Sequence, residues 1–142
     1  MSWHVEHVTG SAAYDLIFED CIARMVVEDQ RLMKHAMDRS PEAWIAFYAE
    51  QVLGCWGLVP PSLLSDVAYL WLHATAAAED HVFMITRQSR IEIERVRSRY
   101  PRIWGHCLVA DRKAQRWIRW LGADFGEPIG QLIPFTLKAA NG

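Results

Sequence analysis

The chain has 142 residues, 51% of them apolar, seven tryptophans and a formal net charge of −2. This is the length of one ordinary domain with enough apolar side chains for a packed core, so residues 1–142 read as a single domain. No apolar run approaches the roughly 20 residues of a membrane span, and the N-terminus lacks a basic region followed by an apolar one, so no signal peptide is expected. Cys21, Cys55 and Cys107 are scattered, with no C-x-x-C pair. They read as reduced thiols of a cytoplasmic protein, not as a disulfide frame or a zinc site.

The charge is unevenly spread. Residues 87–119 carry ten Lys/Arg and three Asp/Glu, whereas residues 1–50 carry four against nine. The basic segment suits a solvated helix surface, or a surface that meets phosphates or an acidic partner. Trp104, Trp117 and Trp120 within it suit base stacking or a core.

In chain order, Trp3 to Val8 alternates and reads as a short strand closed by Thr9-Gly10. Ser11 can cap a helix through Tyr14, Leu16, Ile17 and Phe18. Ile22 to Met37 is again helical in pattern, and Asp38 to Pro41 reads as a loop. Glu42–Glu50 and Val52–Val59 form an antiparallel hairpin around a turn at Glu50-Gln51. Gly54 and Gly57 in its second strand point to a bulge or a close backbone approach. Pro60 to Asp66 is a loop.

Val67 to His73 is a β-branched, aromatic and aliphatic run, hence a strand. From about Glu79 to Tyr100 the period changes: Val82, Ile85, Ser89, Ile93, Val96 and Tyr100 fall three or four apart on one helical face. Val82, Ile85, Ile93 and Val96 are expected in the core, with Leu70, Leu72 and one face of 103–109. Pro101 stops the helix. Arg102 to Val109 is a second strand, and a helix from Asp111 ends at Gly122. Two strands joined through such a helix are expected to be parallel neighbours. Ligands of such units sit where strands end and helices begin, here at His73–Asp80 and Val109–Lys113. Asp124–Glu127 starts a strand, and Leu132–Lys138 is the last, with Pro134 arguing for an edge or bulge. The expected class is α/β, a mixed sheet in the order β-α-α-β-β-β-α-β-α-β-β.

That order resembles the Gcn5-related N-acetyltransferase (GNAT) fold. The segment Asp111-Arg-Lys-Ala-Gln-Arg-Trp-Ile-Arg-Trp-Leu-Gly122-Ala-Asp-Phe125 is similar to that family's N-x-x-A-x-x-x-Y-x-x-x-G-F. Asp111 stands at the capping position, Ala114 at the small residue and Gly122 at the glycine. The resemblance implies an acetyl-CoA site, with Thr75, Ala76, Asp111, Arg112 and Lys113 as the cofactor-binding candidates. Two departures bear on activity. The loop matching the family's R/Q-x-x-G-x-G/A is His73-Ala-Thr-Ala-Ala-Ala-Glu79-Asp80. It has no glycine for close approach or positive φ, and two acids that oppose a phosphate. Ile118 stands where the family often has a tyrosine general acid. The chain also resembles a narrower group, the GNAT-like internal virion protein A type of short-tailed bacteriophages, through its long charged helix, Arg102-Ile-Trp104 and Gly122-Ala-Asp-Phe125. That implies a virion-associated protein, in the virion or the host cytoplasm, with other virion or assembly proteins as partners.

His73 ends its strand where an acetyltransferase often holds a base, and its ordinary pKa suits proton transfer near neutrality. It is the one catalytic candidate, against the alternative of a hydrogen-bonded strand-end histidine. Tyr69, Trp71 and His73 share one face by alternation. His106 and Cys107 are neighbours in a strand and point to opposite faces, so they form no nucleophile pair. His4 and His7 likewise lie on opposite faces, and no metal site is expected. The main expectation is a non-catalytic virion-associated protein acting through protein contacts, with no cofactor. The alternatives are an acetyl-CoA-dependent N-acetyltransferase with a degenerate pyrophosphate loop, and a nucleic-acid or inhibitor module using residues 87–119.

Overall fold

Alternation is the signal that sets the first strand. Trp3–Val8 forms β1, with Trp3, Val5 and Val8 more covered than the residues between them. The computed structural model describes residues 3–62 and 66–138. The middle of the Pro60–Asp66 loop lies outside them.

After β1 come α1 (Gly10–Ile17), a single π-turn (Phe18–Ile22) and α2 (Val27–Asp38). Thr9, not Ser11, caps α1, its hydroxyl accepting from the Ala12 N–H at 3.2 Å. Two strands follow, β2 (Glu42–Tyr48) and β3 (Gln51–Val59), then β4 (Val67–Ala74), a 3-10 helix (Ala76–His81) and α3 (Val82–Arg99). The chain continues through β5 (Arg102–Leu108), α4 (Arg112–Trp120), β6 (Asp124–Phe125) and β7 (Leu132–Lys138). The sheet has seven strands in the order β1-β2-β3-β4-β5-β7-β6. It is antiparallel from β1 to β3 and parallel between β4 and β5, with Val67, Ala68 and Tyr69 opposite Arg102, Ile103 and Trp104. The mixed α/β class and the parallel pair stand as the sequence implied.

The chain divides into two compact units. The first runs to Val59 and includes Trp71–Ile85. In it, α1 and α2 pack on the β2–β3 hairpin, burying Ile17, Ile22, Met37, Ile45, Leu53 and Trp71. The hairpin turn falls at Ala49-Glu50, one residue earlier than expected, with Ala49 at φ 55°. Gly57 lies against the indole of Trp71. The Trp71 N–H donates to Ser40 Oγ at 2.8 Å, and the Ser40 hydroxyl donates to the Ala36 carbonyl at 2.8 Å.

The second unit takes Pro60–Leu70 and the chain from Thr86 onward. Its core holds Leu70, Ile93, Val96, Ile103, Trp117, Ile118, Phe135 and Leu137. A pair like that of Trp71 and Ser40 ties α4 to α3: the Trp117 N–H donates to Ser89 Oγ at 2.8 Å, whose hydroxyl donates to the Thr86 carbonyl at 3.1 Å. The indole N–H groups of Trp71 and Trp117 thereby avoid the cost of an unpaired donor. Pro134 sits where β7 passes the end of two-residue β6, and its carbonyl accepts from Gly126 at 2.9 Å. The missing N–H therefore interrupts no long ladder.

Three core expectations are corrected. Val82 is 56% exposed. It opens α3 at the junction with the 3-10 helix, at the open end of the apolar stripe formed by Ile85, Ile93 and Val96. Leu72 is only half-buried, toward the end of β4, and Val109 is exposed just past the end of β5.

Candidate functional site

The first group of candidate residues follows from a defect in the hairpin. Ala46 pairs with Gly54, but the next pair is Phe47 with Val52, which leaves Leu53 as an extra residue. A bulge frees backbone carbonyls that need partners. Thr75 supplies them: its hydroxyl donates to Val52 at 2.7 Å and Leu53 at 3.1 Å, and its N–H donates to the Leu53 carbonyl at 3.0 Å. Gly54 lies beside the bulge, and a Cβ there would stand 2.8 Å from the His73 carbonyl oxygen. Both meanings of an interrupting glycine, bulge and close approach, hold here.

Thr75 thus fixes where the 3-10 helix begins. The Ala78 N–H donates back to the Thr75 carbonyl at 3.1 Å. The N–H groups of the first turn have no acceptor within their own helix. Ala76 and Ala77 carry only methyl groups there, and neither has a positive φ. The loop turns without a left-handed residue, so the missing glycines are not needed for backbone conformation. Glu79 falls in the first turn of the 3-10 helix and Asp80 follows it, so negative charge stands close to the turn that Thr75 opens. On the π-turn, the Cys21 thiol donates to the Ala74 carbonyl at 3.6 Å, and the His81 ring lies 4.3 Å from that of Tyr48.

His73 precedes this turn. Its Nε2 is sealed from solvent with no hydrogen-bond partner among the described residues, although the residue as a whole is only half-buried. Burial pushes its pKa down from 6.5 to about 4, away from the near-neutral value that recommends a histidine base.

The second unit holds the other candidates. The Asp111 carboxylate accepts from the Ala114 N–H at 3.0 Å and caps α4. Arg112 and Lys113 follow in the first turn, both exposed. Ile118, at the position of the family's tyrosine, is 1% exposed and part of the core. Cys107 is half-buried, with its thiol pushed up to about 11 by burial and by Asp111. Burial also pushes the Cys55 thiol far up. Neither is a thiolate near neutrality. Among the described residues no group of His, Cys, Asp and Glu has metal-site geometry.

Sequence reasoning missed one cluster. The Tyr69 hydroxyl lies 3.3 Å from His106 Nδ1, with the Trp104 ring 5.1 Å from Tyr69 and 4.7 Å from His106. Burial pushes the Tyr69 phenol up to about 12 and lowers the pKa of His106. The phenol therefore keeps its proton and can donate to a neutral imidazole. The pairing depends on the register between β4 and β5, which neither strand encodes alone. Of the residues put forward from the sequence, His73, Thr75 and Ala76 lie together in the first unit, and Asp111, Arg112 and Lys113 together in the second.

This is the fold of the GNAT acetyltransferases. It is similar to that of an IAA acetyltransferase from Bacillus cereus, with a TM-score of 0.68 and 11% identity over 96% of this chain and 99% of that one. An N-acetyltransferase from Staphylococcus aureus gives 0.66 at 10% identity, covering 98% and 99% of the two chains. An acetyltransferase from Bacillus subtilis in complex with CoA gives 0.60 at 12%, covering 96% and 97%. No protein-family model and no curated protein matches the chain. The expectation of a non-catalytic phage virion protein is corrected by these neighbours: they are acetyltransferases, and nothing ties the chain to a virion. Among the described residues no helix is long and apolar enough to cross a membrane.

Proposed function

We propose that the protein is an acetyl-CoA-dependent N-acetyltransferase. The observation that carries this reading is the turn opened by Thr75. Its first N–H groups have no intrahelical acceptor, its side chains at Ala76 and Ala77 are small, and the helix start favours negative charge. Those features fit a phosphate-bearing cofactor, with Thr75 positioning the turn through Val52 and Leu53 and Ala76 offering its backbone. Arg112 and Lys113, on the helix that Asp111 caps, lie in the second unit and are not assigned to this turn.

Bound acetyl-CoA would supply an activated acetyl thioester. The protein's part is to present an amine with a free lone pair and to receive the proton that the amine loses. His73 is unprotonated at neutral pH and has one ring nitrogen unpaired among the described residues. Because that nitrogen is sealed from solvent, it can take the proton only from an amine packed against it, and its low proton affinity makes it a transient acceptor. Glu79 and Asp80 stand within a turn of the proposed phosphate site and lower its affinity by repulsion.

The test is calorimetry with acetyl-CoA on three proteins. Ala77→Glu is expected to abolish measurable binding by filling the cradle with a carboxylate. Glu79→Gln with Asp80→Asn is expected to tighten binding by about tenfold, equivalent to about 1.4 kcal/mol. Affinity indifferent to all three substitutions would overturn the assignment of this turn.

A further inference from the structure

The proposed cofactor turn leaves the arginines of α3 and of the later part of α4 unused. In the second unit, Trp117 binds Ser89 and Arg90 lies over the Trp120 ring at 4.8 Å, so α3 and α4 share one surface. The acids of these helices are already engaged. Glu92 pairs with Arg95 at 3.2 Å, Glu94 with Arg97 at 3.2 Å, and Asp111 caps α4. Arg87, Arg90, Arg116 and Arg119 are exposed and have no carboxylate partner among the described residues. Arg116, Arg119 and Trp120 fall within one turn of α4, and Arg87 and Arg90 within one turn of α3. Trp120 is 55% exposed.

We propose that this α3–α4 surface binds single-stranded nucleic acid. Four guanidiniums without a carboxylate partner among the described residues form a field complementary to a phosphate backbone, and arginine offers a planar fork that matches phosphate. An acidic protein would satisfy the same charges. The open indole, already stacked by a guanidinium, distinguishes the two, because a base can stack on an aromatic face whereas a carboxylate gains nothing there. Trp117 lies in the core and takes no part.

The test is fluorescence anisotropy with labelled DNA and RNA single strands of about twelve nucleotides, within the span that such surfaces cover. Four phosphate contacts imply a slope of about −3 for log affinity against log salt. Arg90→Glu with Arg116→Glu is expected to weaken binding by more than tenfold and to flatten that slope. Trp120→Ala is expected to weaken it by about tenfold with the slope unchanged, because stacking is not ionic. Far-UV circular dichroism and acetyl-CoA binding unchanged in both variants would separate this surface from the proposed cofactor turn. No binding at about 50 mM salt would overturn the proposal. So would a polyglutamate peptide that competes equally while Trp120→Ala has no effect, which would mark an acidic-protein surface.

Discussion

His73 shows how burial changes the meaning of a residue. Its position at a strand end suggested a base near neutral pH. In the structure Nε2 is sealed without a partner among the described residues and the pKa falls to about 4. The unfolded chain, with a histidine near 6.5, binds the proton more readily than the folded one. Stability from keeping His73 neutral is therefore fully present above pH 6.5 and is lost as pH falls toward 4. A shift of this size corresponds to about 3 kcal/mol. His73→Leu is expected to remove most of the acid-side loss between those pH values, measured by urea unfolding at several pH values. An unchanged acid limb would show that this imidazole is solvated. The sequence identified the residue but not its state, because burial of one ring nitrogen decides that state and alternation does not reveal it.

At the scale of elements, the strands and the long helix were legible because period two and period 3.6 leave separate marks. The stripe Ile85, Ile93 and Val96 is buried as its spacing implied. The start of the 3-10 helix that leads into α3 was not legible. It depends on Thr75 satisfying carbonyls freed by a bulge more than twenty residues earlier. Gly57 carried half a message: its sequence position indicated a close approach but not that Trp71 was the neighbour. A methyl group there would enter the indole ring. Gly57→Ala is expected to cost about 1–3 kcal/mol as overpacking, read by chemical denaturation. A cost near zero would mean that Trp71 can move, although its N–H is bonded to Ser40.

For the whole molecule, strand order was the most informative property of the sequence, since a helix between two strands nearly dictates a parallel pair. The same reading went astray on function. The absent glycines alone imply loss of a phosphate site, but the turn after β4 uses no left-handed residue and opens with alanines. The tryptophans of the basic segment look alike in the sequence, whereas the fold buries Trp117 and exposes Trp120. Neither distinction is written in composition: the first depends on the backbone that Thr75 holds, the second on which side of α4 meets α3. The most direct measurement of the central claim is thiol release from acetyl-CoA with a panel of primary amines and the purified protein. Amine-dependent release that saturates with acetyl-CoA and is lost in Ala77→Glu is expected. Release no faster than in buffer for every amine, with no heat of acetyl-CoA binding, would contradict it.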